Sequence, residues 1–540
     1  MEALVAEALG PCSFVEEPLH HYIVEPTNVF ADWTLLHTLP PKPDCPEAFY
    51  LVSWAMRATH GALGIYEENE AQKGINYWLG RSDQDDIPLT EAAHTLIFAV
   101  GALSCPDDKD DMAAAYFEHG QFLSKIGSTG EPSILSILCH IWMTFYLVTS
   151  RQIQAGYASL IAAVRDAHGL GIHRATVSYI SRDEQAMRER IWKALRMLDV
   201  FLSISIGRPM TTAETRDTKA SYGYSCINDL AAIMETTTKT IYNSPGEISK
   251  QFVCESMEQH RLWADRLATE LIATASGSSL ESRLRDESRL FGPLEESYHW
   301  SIMLLTWPFL FDKVSMQLEH QENEALGRSA RTENTPGSEL SNLLVSACVN
   351  SAVRCIDVTQ DSLSHLGQPK RLPYTVNSVF HSALTVGIAV FADMDQVYPL
   401  KSSLQKAQAI LRTLQLNDCW ARSTLRATER LQAAGETYID RRTHRRMECQ
   451  QRMIGKMFGQ LPDLTPSVHK KNLEINSDDA NTSRSNNTLR RDLGSRCILF
   501  PQERLSDWGP GSFDITHTTG TFTAPMLDGY DFDLLDAFPR

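Results

Sequence analysis

The sequence predicts a predominantly α-helical protein with an irregular N-terminal arm and a disordered C-terminal tail. Three observations carry that prediction. Apolar residues recur at helical spacing through most of residues 48–458, as in the stripe Met187, Ile191, Leu195, Leu198 and Leu202. No run of alternating β-branched residues is long enough to suggest a sheet. Beyond Leu461 the composition turns to Asn, Ser, Asp, Thr and Arg, with too few aliphatic side chains to offset the entropy of ordering the chain.

Taken in order, residues 1–46 read as the arm, because Pro11, Pro18, Pro26, Pro40, Pro41, Pro43 and Pro46 interrupt any long regular element. Helical patterning then predicts segments at 48–66, 90–104 and 111–126; the second carries Leu96, Ala99, Val100 and Leu103 on one face. Gly127 to Gly130 is a break, and Pro132 suits the first turn of the next helix, where no N–H donor is needed. That helix holds the longest apolar stretch, Ile134 to Val148, which is too short to cross a bilayer. Ser136, His140 and Thr144 recur every fourth residue within it, so it reads as a core helix with one narrow polar seam. A helix from Ile153 to His168 closes on Gly169 and Gly171. Ser181 with Glu184 forms a capping box ahead of the stripe quoted above, and Gly207 followed by Pro209 ends that helix. Further helices are expected at 248–273, 283–315, 339–363, 373–392, 400–413 and 418–458, with linkers at 276–282 and 327–338. The domain plan is an arm over 1–46, a helical region over 47–325, a linker over 326–338, the C-terminal helical part of the same body over 339–460, a disordered stretch over 461–524 and a distinct segment over 525–540.

Composition narrows the function. With 50 Lys and Arg against 67 Asp and Glu, the net charge of −17 excludes a chain that is basic throughout and wraps nucleic acid; a local basic module would have to be found as a segment. Eleven cysteines in 540 residues, with no C-x-x-C spacing, argue against a disulfide scaffold and for reduced thiols in the cytosol or nucleus. The N-terminus carries glutamates and no basic region, so no secretory signal is expected, nor any membrane partner.

A search for chemistry is mostly negative. The phosphate-cradling, zinc-protease, nucleophile-elbow, dinucleotide and calcium-loop motifs are all missing from the sequence, so neither catalytic nor metal-ligating residues are assigned. Cys348 and Cys355 share a helix face among apolar residues and read as core. The aspartates at Asp83, Asp85 and Asp86 and at Asp107, Asp108, Asp110 and Asp111 flank loops and prolines, which disfavours an all-α terpenoid-type enzyme. Asp199 lies inside an apolar run and needs a partner; Arg208 and Arg174 are the candidates for a structural ion pair, with a ligand-sensing polar site as the alternative. Arg441, Arg442, Arg445 and Arg446 make a basic run, either a solvated helix end or a nuclear-import or nucleic-acid patch. At the C-terminus Asp528, Asp531, Asp533 and Asp536 alternate with Tyr530, Phe532, Leu534, Leu535 and Phe538, the composition of an activation segment. There Phe532, Leu535 and Phe538 could line one face of a short helix on a partner, or on this chain's own body.

Several of these segments together resemble the fungal-specific transcription factor domain, the middle homology region of zinc binuclear cluster regulators. The helix ending in Gly169, Gly171, His173 and Arg174 is similar to that family's G-L-H-R ending. Glu184, Arg188, Arg190, Trp192 and Asp199 fall where its E…R-R-R-x-W-W…D pattern places such residues, and Gly207, Arg208 and Pro209 match its G-R-P turn. Tyr298-His299, Trp307 to Leu310, and Ala347-Cys348 with Ala352 resemble later family segments, so the likeness runs from about 90 to 400. Glu189, Lys193 and Trp307 depart from the pattern.

The resemblance implies a nuclear regulator of RNA polymerase II-dependent genes that is not an enzyme. Its helical regulatory domain would take a small-molecule effector, and its tail would meet transcription co-activator machinery. The family's N-terminal zinc cluster is not found, so zinc is expected only with such a cluster, and promoter DNA would be reached through a missing or partner-supplied module. The alternative is a helical co-regulator or scaffold that acts through protein partners without touching DNA.

Overall fold

Helix boundaries in the computed structural model follow local chemistry closely enough to be explained residue by residue. The structure describes residues 40–59, 63–66, 68–80, 88–128, 131–174, 181–212, 226–242, 248–275, 280–325, 337–364 and 367–459. Among these there are fourteen α-helices and no strand. They are α1 (Cys45–Thr59), α2 (Glu68–Leu79), α3 (Pro88–Ser104), α4 (Asp110–Gly127), α5 (Ile134–Thr149), α6 (Ile153–Gly169), α7 (Arg182–Ile206), α8 (Cys226–Ile241), α9 (Lys250–Ala275), α10 (Leu280–Ala325), α11 (Gly337–Leu363), α12 (Pro373–Phe391), α13 (Leu400–Leu414) and α14 (Cys419–Phe458). A 3-10 turn at Met394–Gln396 joins α12 to α13. The chain divides into two compact units; the first holds the described residues up to Ile439, the second those from Asp440 to Gly459.

Several expectations need correction. The first helix stops at Thr59 rather than near residue 66 and starts at Cys45, within the expected arm. Pro132 lies outside α5: Ser133 is the N-cap and accepts the Ser136 N–H at 3.0 Å, so the serine hydroxyl, not the proline, starts the helix. Helix α10 begins at Leu280, inside the expected linker, and runs to Ala325, and α11 begins at Gly337. Helices α2 and α8 were not anticipated at all. The disordered stretch and the acidic–aromatic segment lie outside the described residues.

Packing in the first unit runs mostly between helices that follow one another in the chain: α3 on α4, α5 on α6, α10 on α11, and α12 on α13. Longer-range contacts bind these pairs together. Helix α3 also meets α1 and α5, α8 is gripped by α7, α9 and α10, and α12 lies against α10 and α11. Helix α12 is long and apolar enough to cross a membrane, but 83% of its apolar window is buried inside the body, which is what a core helix requires. The polar seam of α5 faces α6: Ser136 donates to Asp166 at 3.1 Å and His140 Nδ1 meets the Ser159 hydroxyl at 3.2 Å.

Helix α10 continues through Pro293 and Pro308. A proline inside a helix leaves the carbonyl four residues earlier without its N–H partner. For Pro308 that carbonyl is Leu304, and the Tyr242 hydroxyl at the end of α8 donates to it at 2.7 Å. The tyrosine thus repairs the ladder and ties α8 to α10.

Two clamps tie distant parts of this unit. Arg371, just before α12, grips the Asp110 carboxylate through both nitrogens at 2.8 and 2.6 Å and donates to the Leu103 carbonyl at the end of α3. With Lys370 also on Asp110, these cations hold its carboxyl well below the usual range. Arg151 pairs with the almost fully buried Asp418, whose Oδ1 also accepts the Trp420 N–H at 2.9 Å.

Close approach of α1 and α3 depends on Gly101. A Cβ there would stand 2.0 Å from the Leu51 carbonyl oxygen, so the two backbones touch only because there is none. Gly101→Ala gains about 1 kcal/mol of helix propensity but forces the helices apart, a cost of about 3 kcal/mol or more. A net loss of about 2 kcal/mol in urea unfolding is expected; no loss would mean that α1 and α3 are not in backbone contact.

Candidate functional site

The residues singled out in the sequence converge on α7 and its two ends. Ser181 caps α7 by accepting the Glu184 N–H at 3.2 Å, but the Glu184 carboxylate does not turn back to the cap; it takes both Nε and Nη2 of Arg188 at 3.1 and 2.9 Å. Arg188 also donates to the Leu170 carbonyl at 3.1 Å, which fastens α7 to the turn after α6. In that turn Gly171 accepts the Arg174 N–H at 3.1 Å. His173, one residue earlier, packs edge-on against His168, and both rings flank the buried Trp192 at 6.2 and 5.7 Å. Arg190 reaches the Glu70 carboxylate of α2 at 2.9 and 3.2 Å. The motif residues from Gly171 to Trp192 therefore form one joint between α2, α6 and α7.

Asp199 is fully buried, and its partners are not the arginines expected. Arg208 donates to Gln154 at 3.2 Å and lies over the Tyr157 ring, while Arg174 is exposed and meets His173. Asp199 Oδ2 instead accepts the Thr211 N–H at 2.8 Å, the Thr212 N–H at 2.6 Å and the Thr212 hydroxyl at 2.7 Å; Oδ1 accepts from Ser203 at 3.2 Å. Four directed donors satisfy the carboxylate, and no counter-ion pairs with it among the described residues. The chain reaches that position because Gly207 takes φ +64, a left-handed conformation that ends α7 and turns residues 208–212 back along it. Pro209 in the same turn accepts from the Tyr157 hydroxyl at 3.4 Å.

One turn before Asp199, Arg196 is also fully buried, which no motif in the sequence signals. It donates to Asn228 at 3.2 Å and to Glu235 at 2.9 Å, both on α8. Its place on the stripe of Trp192 and Val200 was the available signal: a charge on an apolar face needs a partner.

Beside this helix is a cavity of about 40 Å³ between α7, α8, α10 and α12. Phe201, Leu230 and Met234 form part of its apolar wall, and Glu296, Trp300 and Tyr374 line the rest. Burial pushes the Glu296 carboxyl up to about 7, although the nearby hydroxyls of Ser378, Thr375 and Thr359 favour its charged form. Trp300 Nε1 and Tyr374 Oη are buried without a hydrogen-bond partner among the described residues. Glu296 could also have been read from sequence, since Trp300, Met303 and Trp307 place it on the buried stripe of α10.

The remaining candidates fall elsewhere. Cys348 and Cys355 are buried, with thiols pushed up to about 12, far from a reactive thiolate. Labelling of the native protein with a thiol reagent is expected to modify Cys45, Cys419 and Cys449 and to spare Cys105, Cys139, Cys348 and Cys355; rapid labelling of Cys348 or Cys355 would contradict the packing described. In the second unit Arg441, Arg445 and Arg446 are exposed, whereas Arg442 is buried, so the basic run is not one continuous exposed patch. Asp528, Tyr530, Phe532, Leu534, Leu535 and Phe538 lie outside the described residues. No group of metal-binding side chains occurs among the described residues.

Residues 60–287 match the fungal specific transcription factor domain, a family of transcription factor domains and not of enzymes. The match takes in the α2–α6–α7 joint, Asp199 and the α7–α8 side of the cavity. It starts earlier and ends sooner than the span of about 90 to 400 suggested by motifs, so the segments at Tyr298, Trp307 and Cys348 fall beyond it. Over 269 residues the chain is 24% identical to Filamentous growth regulator 27 of Candida albicans, a match covering 45% of this chain and 34% of that protein.

Proposed function

We propose that the chain, whose residues 60–287 match a fungal specific transcription factor domain, is a nuclear transcription regulator of the zinc-cluster type acting on RNA polymerase II-dependent genes. The helical body is its regulatory module, and residues 525–540 are its activating segment. Promoter contact is made by a module other than this body, carried with it or supplied by a partner. The observation that supports this reading most is the family match over the same helices that build the Trp192 joint and the Asp199 clamp. The name of the Candida relative, a growth regulator, points the same way. Polar side chains at these positions connect helices, which suits a body that holds one of two conformations and is biased by a ligand or partner.

The activating role is tested with the full chain fused to an unrelated DNA-binding module and a reporter. Deleting residues 525–540 is expected to abolish reporter output without lowering the thermal midpoint. Unchanged output would remove the activation assignment. The second reading is a co-regulator that never touches DNA. Chromatin occupancy that disappears when a partner is depleted, together with no DNA binding by the purified chain at stated salt, would favour it.

A further inference from the structure

We propose that the cavity between α7, α8, α10 and α12 binds a compact aliphatic ammonium that also carries a hydroxyl or carbonyl, with Glu296 as its counter-ion and Phe201, Trp300 and Tyr374 as its walls. Three features of the cavity specify that chemistry. The first is the aromatic wall. Phe201 and Tyr374 pack edge to face at 4.2 Å, with Trp300 6.4 Å from Phe201, and aromatic faces attract an alkylammonium more strongly once it leaves water. The second is the carboxyl. Glu296 is only 7% exposed and lines the cavity with no basic side chain among the lining residues. The nearby hydroxyls do not offset its burial, and a cation that arrives with the ligand supplies the missing counter-charge. The third is the pair of unpartnered donors, Trp300 Nε1 and Tyr374 Oη, which a ligand oxygen would satisfy.

Size sets the upper limit. About 10–15 Å³ of comparable space admits one water, so a cavity of about 40 Å³ takes a molecule of about three or four non-hydrogen atoms. Water alone could serve the two donors but would leave the carboxyl without a counter-charge.

Binding must follow the ionisation of Glu296, because burial moves the thiol, phenol and imidazoles around it away from that range. Cys355 of α11 is pushed up to about 12 and Tyr374 of α12 is raised further. His381 of α12 is held neutral down to about 4, and so is His299 of α10; Glu295 precedes Glu296 on its own helix. Helices α7 and α8 bring only apolar side chains to the cavity, and the charges of Arg196 and Glu235 between them are paired.

This inference deepens the regulatory reading by naming a ligand class, but its test measures binding alone and is independent of the reporter result. The purified full chain is titrated with n-propylammonium and 2-aminoethanol, and with 1-propanol and ethane-1,2-diol as neutral counterparts at equal ionic strength. Calorimetry and the thermal midpoint are read for the native chain and for Glu296→Gln. Both amines are expected to bind and raise the midpoint of the native chain, the hydroxyl-bearing 2-aminoethanol more tightly than n-propylammonium, and each about tenfold more weakly near pH 6 than near pH 8. The alcohols should do neither, and Glu296→Gln should lose the amine response while remaining folded. Equal binding of the alcohols, an undiminished amine response in Glu296→Gln, or no amine binding at millimolar concentration would each overturn the proposal.

Discussion

Asp199→Ala is expected to destabilise the protein by about 4 kcal/mol, among the larger losses a single substitution causes. The carboxylate accepts from two backbone N–H groups and two hydroxyls in a fully buried position. Each hydrogen bond to a charged acceptor is worth about 1.5–3 kcal/mol, and each donor left buried and unpaired costs about 1–3 kcal/mol. These terms overlap, since residues 208–212 can loosen and hydrate once released, so they do not sum. Graded variants separate the contributions. Asp199→Asn keeps one acceptor oxygen and should lose about half as much, and Thr212→Val should lose about 1 kcal/mol. If the oxygen of Asp199 clamps this turn, the Asp199→Ala and Thr212→Val losses will be far from additive. A loss for Asp199→Ala below about 0.5 kcal/mol, the level of an ordinary surface change, would show that the clamp is not formed in solution.

Glu296→Gln should do the opposite and stabilise the ligand-free protein above neutral pH. Burial displaces this carboxyl from 4.5 to about 7 in the folded chain. Below about pH 4.5 the side chain is protonated in both states and has no pH-dependent effect. Between about 4.5 and 7 only the unfolded chain releases the proton, so stability falls as pH rises. By about pH 8 the accumulated loss is about 3 kcal/mol. Glutamine keeps the size and the hydrogen-bonding ends but cannot ionise, so the loss disappears.

The buried histidines have the reverse sign. His299 and His381 are lowered from 6.5 to about 4, because burial disfavours their charged forms. The unfolded chain gains protons there first as pH drops, so stability is lost on acidification from about pH 6.5 to 4. In the native chain this trend opposes that of Glu296 over the same interval. Glu296→Gln should therefore expose an uninterrupted decline in the unfolding midpoint from about pH 6.5 downward. A variant whose pH profile superimposes on that of the native chain would show that Glu296 is not buried in a water-poor site.

Much of the architecture is legible in the sequence. The helix over Arg182–Ile206 announced itself at both ends, through Ser181 and Gly207, and along its length through a stripe of period 3.6. Helix α8 was not legible. Its second half carries Thr236, Thr237, Thr238 and Thr240, poor helix formers, and its apolar side, Leu230, Ala231, Ile233 and Met234, is short. What holds it helical is tertiary: Arg196 of α7 reaches Asn228 and Glu235, and Tyr242 reaches Leu304. Helix α2 is similarly fastened from outside, by Arg190 on Glu70.

Local chemistry in the chain determined the all-helical class, most helix limits, the buried status of Asp199 and the family likeness of the α6–α7 region. Caps, stripes and glycine turns act within a few residues, so they can be read in one dimension. Only the tertiary structure decided which donors Asp199 accepts from, that Arg196 is buried, and that Glu296 meets Trp300 and Tyr374 around a cavity. The turn that brings Thr212 to Asp199 spans 13 positions, and the meetings of Arg196 with Asn228 and of Glu296 with Tyr374 depend on which helix faces come together across 32 and more than 75 positions of chain. A hydrogen bond or a desolvated carboxyl is settled by the few ångströms around it, and nothing in the order of residues states what those ångströms contain.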